Sequence, residues 1–405
     1  MNEFPGDLRF DEARVIIEQV AHDQRLPIDR IALSRAHGRV LAQDVVASMA
    51  LPPFDNSAMD GFALRHADLV QTSQTGLRLV GEQFAGRALG LSIGAGECVR
   101  ITTGAPLPSG ADTVAIKESV RVDGARIVIQ GDLLAGAHIR RAGGDVHVGD
   151  HVLTKGCTLT PPRVAMAASL GLAQLEVSQR PTVAVFTTGD ELVEPGLPLQ
   201  PGEIHNSNRE LLMGLLRADG LEPTAWPTLP DEPTRLASML RDAASSFDVV
   251  ITCGAVSAGE KDHIPALLQQ FGRVHFWKVR MKPGMPLLFG QLDRAQFLGL
   301  PGNPVSVLAT YLTLGRALLD GLQGRAEPRA SWHARMASGF DKRNTRREFL
   351  RGRLLPGADG TLQVAPNPAD GSHRLAAAAQ SDALIVLPEG ERMFHAGDVV
   401  TVLPY

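Results

Sequence analysis

Residues 248–271 read DVVITCGAVSAGEKDHIPALLQQF. A run of β-branched apolar residues breaks at Gly254 into a polar loop, and Ile264 then opens an apolar run at helical spacing. This reads as strand, glycine loop, helix. Two flanking stretches repeat the plan. TVAVFTTGDEL (182–192) is a buried strand entering a polar turn, followed by NSNRELLMGLLRADG (206–220), a capped helix ended by glycine. QFLGLPGNPVSVLATYLTLGRALL (296–319) is strand, tight turn, helix. Strands alternating with helices at this spacing predict a parallel α/β sheet. Ligands of such sheets bind at the carboxyl ends of the strands, where three polar loops meet here.

Outward from this unit the texture changes. FDEARVIIEQVAHD (10–23) places Phe10, Ala13, Ile16, Ile17 and Val20 on one helical face, and GRVLAQDVVA (38–47) reads as a strand. From about 75 to 158 short β-branched runs alternate with glycines. One of them, VRVDGARIVIQ (120–130), carries Asp123-Gly124 as a hairpin signal. TPPRVAMAASLG (160–171) reads as a helix capped by Thr160. Beyond about 327, REFLRGRLLPGADGTLQVAP (347–366), DALIVLPEG (382–390) and DVVTVLPY (398–405) predict a small β barrel or sandwich.

Bulk properties bound the function. The 405 residues are 44% hydrophobic and 21% charged, with a net charge of −4, so no global basic field points to nucleic acid or an anionic membrane. The acidic N-terminus does not read as a signal peptide. Arg316 interrupts the most apolar stretch, 304–322, which reads as a buried helix rather than a membrane span. Cys98, Cys157 and Cys253 form no CxxC pair and fit a reducing cytoplasm. There is no Walker GxxxxGK[ST] and no GxGxxG after a strand. A GxSxG hydrolase elbow is out of register at Ala255-Val256-Ser257-Ala258-Gly259. A Gly-Asp turn between His147 and His151 argues against a helical metal pair.

Four segments carry the candidate chemistry. PPFDNSAMDGFA (52–63) has neither helical nor strand period, and reads as a packed loop holding Asp55 and Asp60 or as a plain connection. In the loop after residue 253, Gly254 permits close backbone approach, and Asp262 reads as a helix N-cap, a ligand contact or both. In GLPGNPVS (299–306), Asn303 is placed to cap a helix starting at Pro304, whose positive end suits an anion. In FWKVRMKPGMPLLFG (276–290), Lys278, Arg280 and Lys282 alternate, so a strand would present all three on one face.

Taken in order, PPFDNSAMDGFA, RITTGAPLPSGADTVAIKE, RRAGGDV, TTGDEL, NSN, GAVSAGEKD, VRMKPGMP, GLPGNPVS, REFLRG and GSH resemble the molybdopterin molybdenumtransferase family. This is the bacterial MoeA type, with the matching domain of gephyrin and its plant relatives. The resemblance covers nearly the whole chain. It implies a multi-domain α/β plus β protein with a parallel α/β molybdopterin-binding domain (181–326), a β-rich inserted domain (51–146) and a C-terminal β barrel (327–405). Residues 1–50 with 147–180 would form a linker and dimer domain. It also implies a cytoplasmic homodimer whose cleft is completed by the opening loop of the other subunit, with no nucleic-acid or membrane partner. Contacts with other molybdenum-cofactor biosynthesis proteins are a further expectation.

The implied activity is insertion of molybdate into adenylated molybdopterin with release of AMP, dependent on Mg2+. The alternatives are a non-catalytic molybdopterin-binding scaffold and a molybdopterin adenylyltransferase. By motif, the implied catalytic residues are Asp60, Thr103, Glu191, Asp262 and Lys282, with Glu191 and Asp262 as metal ligands. The implied substrate-binding residues are Asp145, Asp231, Gly254, Ser257, Lys278, Pro301, Gly302, Asn303, Pro304, Arg346 and Ser372. Lysine and arginine suit an oxyanion, and carboxylates suit Mg2+ beside a phosphoanhydride. One departure stands out: where the family carries Gly-Gly-x-Ser, this chain has Gly254-Ala255-Val256-Ser257.

Overall fold

The computed structural model describes residues 5–72, 75–230, 232–257, 262–369 and 371–405. Its centre is a seven-stranded sheet in the order Gly6–Leu8, Gly272–Val279, Leu288–Leu292, Ala295–Leu300, Val249–Cys253, Val183–Thr187, Thr224–Ala225. Six strands run the same way. Leu288–Leu292 opposes both its neighbours, because two residues, Asp293 and Arg294, are all that separate it from Ala295–Leu300, and so short a link allows only a hairpin.

Both faces of the sheet are covered. Helices Phe10–Asp23 and Ser207–Ala218 and the 304–322 helix pack on one face, with Ile17, Leu216, Phe276 and Leu308 among the shared core. Helices Pro233–Ser246 and Ile264–Phe271 cover the other through Leu240, Leu268 and Phe297. Double burial explains why VAVFT and VVITC are apolar without alternation. The 304–322 helix is long and apolar enough to cross a membrane, but most of it is buried inside the protein. Its turn Tyr311–Gly315 is π-helical, an irregularity with no signature in the sequence.

The C-terminal region closes on itself. Strands Arg347–Pro356, Leu362–Pro366, Trp332–Met336, Val399–Pro404 and Ala383–Leu387 form a five-stranded barrel, sealed by pairing of the first with the last. It is fastened to the α/β unit at several points. Arg347 forks onto Asp11 of the first helix at 2.6 and 2.9 Å, and Phe10 lies 5.2 Å from Phe349. The short strand Met281–Lys282 runs parallel to the barrel strand, with Lys282 in register with Glu348.

The segment 51–146 is β-rich as expected, with a six-stranded sheet containing Gly61–Leu64 and Glu97–Ile101. Its Asp123-Gly124 signal is a real hairpin, with Asp123 paired to Arg126. The expected strand over 38–47 shrinks to bridges at Val40 and Leu41 and a pair, Val45–Val46. Two predicted caps also differ. Thr160 and Asn303 hold N-cap positions, yet neither side chain bonds its helix. Prolines follow both, leaving fewer N–H donors to satisfy.

Candidate active site

The two acids of the opening loop face different ways. Asp55 accepts from the Ala142 N–H at 2.8 Å and from Arg141 at 2.6 Å. These donors hold its carboxyl below the ordinary range, the Ala142 amide first. Asp55 therefore fixes the loop against residues 141–142. Asp60 is exposed, and its Oδ1 accepts from the Thr103 N–H at 2.8 Å and from the Thr103 hydroxyl at 3.0 Å. These two bonds, with the Lys117 and Arg100 charges beyond them, keep Asp60 below the ordinary range. The second oxygen of Asp60 is left for a ligand or water. The loop ends on glycine because a Cβ at Gly61 would overlap the Ala115 carbonyl. Asp145, also exposed, is held near this loop by its N–H to Leu51 O at 3.0 Å.

At the carboxyl edge of the sheet the three polar loops are stitched together. The Thr188 N–H donates to Cys253 O at 3.1 Å, and the Gly254 N–H to Leu300 O at 2.9 Å. Gly254 has φ 102, and a Cβ there would run into the Thr188 hydroxyl, so this position requires glycine. Asn206 caps the next helix through the Arg209 N–H and donates to Thr187 Oγ1 at 2.8 Å. Asn208 reaches Gly302 O at 2.5 Å. Glu191 and Ser257 are exposed at this edge. Asp262 is half-buried there, one residue before the N-cap position of helix Ile264–Phe271, which belongs to His263. Ala255 has φ 54, a left-handed conformation that a second glycine would adopt freely. Asp231 lies outside the described residues.

Between the sheet edge and the barrel lies a cleft of about 430 Å³. Lys282, Pro301, Asn303 and Ser306 line one wall, and Arg346, Glu348 and Ser372 the other. The walls are bonded to each other: the Val305 N–H donates to Ser372 O at 3.1 Å, and Lys282 Nζ lies 2.9 Å from Glu348. The turn after Lys282 needs Gly284, with φ 111, because a Cβ would meet the Thr310 methyl. Buried Arg351 donates to the carbonyls of Gly371 and Ala369 and so braces the loop carrying Ser372. Arg346 presents its guanidinium beside Met285 Sδ, at 3.6 Å.

The cationic triplet is not the uniform face that alternation predicts. Lys278 has φ 72, and the regular strand ends at Val279. Lys278 instead lies over the Trp277 ring, 4.7 Å from its centroid, outside the lining of the cleft. Of the residues singled out by sequence, the cleft gathers Lys282, Pro301, Asn303, Arg346 and Ser372, with Gly302 and Pro304 adjoining in the chain. Glu191, Gly254, Ser257 and Asp262 stand on the sheet-edge loops. Asp60, Thr103 and Asp145 lie on 51–146, outside the lining of the cleft, and the Asp60–Thr103 hydrogen bonds stay within that segment. Sequence reasoning passed over Glu348. Its signal was the one carboxylate in the strand REFLRGRLLP.

Comparison with known proteins decides the family. The MoeA N-terminal region (domain I and II) matches residues 8–171, a probable molybdopterin binding domain matches 184–321, and the MoeA C-terminal region (domain IV) matches 333–405. A molybdopterin molybdenumtransferase of Haemophilus influenzae is 37% identical over 402 residues, covering 98% of both chains. The chain belongs to the molybdopterin molybdenumtransferase family. A family member from Nostoc is 34% identical, covering 97% of this chain and 92% of its own. The crystal structure of the molybdopterin biosynthesis MoeA protein from Pyrococcus horikoshii OT3 superposes with a TM-score of 0.82 at 27% identity, covering 98% of this chain and all of that one. As a molybdopterin molybdenumtransferase family member, the chain is a transferase of molybdenum cofactor biosynthesis.

Proposed function

We propose that this chain inserts molybdate into adenylated molybdopterin and releases AMP, as a cytoplasmic, Mg2+-dependent homodimer. The observation that carries the reading is the cleft where Lys282, Arg346 and Ser372 converge from two domains. A doubly charged oxyanion is matched by an ammonium, a guanidinium fork and a hydroxyl in a partly enclosed space. Lys278, Gly254, Ser257, Asp145, Asp231, Pro301, Gly302, Asn303 and Pro304 are assigned to binding the pterin nucleotide and its surroundings. The domain limits proposed are 1–50 with 147–180, 51–146, 181–326 and 327–405.

For Mg2+, the chemistry of the donor set fits. Glu191 and Asp262 offer hard oxygens on loops leaving adjacent parallel strands. Mg2+ characteristically takes one or two carboxylates and completes its shell with water and substrate phosphates. Bound there, the ion would neutralise charge at the phosphoanhydride. The protein's part is positioning: Lys282, Arg346 and Ser372 hold the oxyanion, and the sheet-edge loops hold the nucleotide. Asp60, kept ionised by Thr103, orients the attacking oxygen. Because Asp60 and Thr103 form a group of their own, we assign their arrival at the cleft to the second subunit.

The test is to mix the purified protein with adenylated molybdopterin, Mg2+ and molybdate. Stoichiometric AMP and molybdenum cofactor are expected, with loss of both in excess chelator. Pyrophosphate release from ATP and molybdopterin, without molybdate-dependent AMP, would instead mark an adenylyltransferase.

A further inference from the structure

We propose that Glu348 is a positioning residue for Lys282: a buried carboxylate of the barrel that fixes the lysine ammonium at the mouth of the cleft. The proposal rests on the reading of this cleft as the molybdate site.

A carboxylate is out of place among groups that are to hold an anion, since it offsets one of the cations lining the cleft, Lys282. Its surroundings supply the reason. The Glu348 side chain is 3% exposed, against 35% for Lys282. Its two oxygens are divided between two donors, Lys282 Nζ at 2.9 Å and Asn344 Nδ2 at 2.5 Å. Asn344 is itself pinned: its Oδ1 accepts from the Arg346 N–H at 3.1 Å, and its carbonyl accepts from Lys342 Nζ at 2.5 Å. Lys342 is 1% exposed and donates again to Gly390 O at 2.6 Å. The segment from 342 to 348 is thus a closed polar network, which leaves Glu348 little freedom to follow Lys282.

The lysine is the mobile partner. Its four-carbon stem would leave the ammonium free to sweep the cleft, and the parallel register of Lys282 with Glu348 brings it back to one point. An ammonium carries three N–H groups, so one can be given to Glu348 and two remain for an oxyanion. The same network holds the backbone of Arg346, so Lys282 and Arg346 both take their place from one segment, 342–348. The charge lost to Glu348 is offset by Lys342 beneath it.

The deciding experiment compares molybdate saturation of AMP release in wild type, Glu348→Gln, Lys282→Met and the double variant. Glutamine keeps the shape but offers one acceptor oxygen to two donors, so one anchor is lost. Positioning predicts that Glu348→Gln raises half-saturation by roughly 10-fold while the rate at saturating molybdate stays within about 2-fold, and that it adds no shift in the Lys282→Met background. A lowered half-saturation would show that Glu348 merely neutralises the cleft, and an unchanged one that the pair is purely structural; either overturns the proposal. If Lys282→Met also leaves molybdate saturation unmoved, the cleft reading itself fails. Should Glu348→Gln not fold, equilibrium dialysis of molybdate with Asn344→Ala replaces it. That variant frees the second oxygen without touching the lysine. Weaker molybdate binding supports the network, and unaltered binding overturns it.

Discussion

Asp60 and Asp55 sit five residues apart in one irregular loop and are bound to different ends. Asp55 spends both oxygens on residues 141–142, whereas Asp60 takes both of its bonds on one oxygen. The Thr103 hydroxyl is one of the two donors that keep Asp60 ionised, so Thr103→Val should raise the Asp60 pKa toward the ordinary carboxylate value. If Asp60 must be ionised for turnover, the acid limb of the pH profile of AMP release should move to higher pH in this variant. An unmoved limb would assign that limb to another group. Ala255 gives a second residue-scale prediction. Its left-handed φ costs an L-residue roughly 1–2 kcal/mol, part of which glycine returns to unfolded-chain entropy. Ala255→Gly should therefore raise the melting midpoint by about 1–2 °C. A lower midpoint would mean that the methyl makes contacts worth more than the strain.

At the scale of elements, the junction of helices and barrel turns on Asp219. Its side chain is 4% exposed, beyond the end of helix Ser207–Ala218, and it binds Arg316 at 2.9 Å, Arg329 at 2.5 Å and the Tyr311 hydroxyl at 2.7 Å. Burial pushes its carboxyl up, but the Arg316 hydrogen bond and the Arg329 and Arg316 charges outweigh burial and leave it below the ordinary value. A depressed folded value means that its contribution is complete above the unfolded pKa of about 4 and is lost as pH falls through the lower folded one. Asp219→Ala should cost about 3–5 kcal/mol near neutrality, and its deficit against wild type should narrow only below about pH 4. A deficit that shrinks already between pH 7 and 5 would contradict this.

What was legible in the sequence follows the same division by element. The strand-loop-helix units at 183, 249 and 296 could be read because doubly buried strands are apolar throughout and their helices have strong periods. The 38–47 segment has β-branched residues without sheet partners along its length, so propensity overstated it. The Lys278–Lys282 alternation failed because a single positive φ at Lys278 ends the period, and only tertiary packing fixes such an angle. Glu348 was hidden for a related reason. Its meaning depends on a residue 66 positions earlier, which the sequence does not place beside it.

At the scale of the whole molecule, two chemically equipped groups stand on separate parts of one chain: Asp60 with Thr103, and the sheet-edge and barrel residues around Lys282 and Asp262. The central claim is that two copies combine these groups into one molybdate-inserting site. The most direct measurement uses two variants, Asp60→Ala and Asp262→Asn, each expected to lack molybdate-dependent AMP release. Mixed under conditions where subunit exchange is shown by mass spectrometry, they should regain activity. In a two-fold symmetric dimer half the molecules become hybrids, and each hybrid has one cleft with both groups intact, so recovery should approach roughly a quarter of wild type. No recovery despite exchange, or near wild-type AMP release by Asp60→Ala alone, would contradict the account.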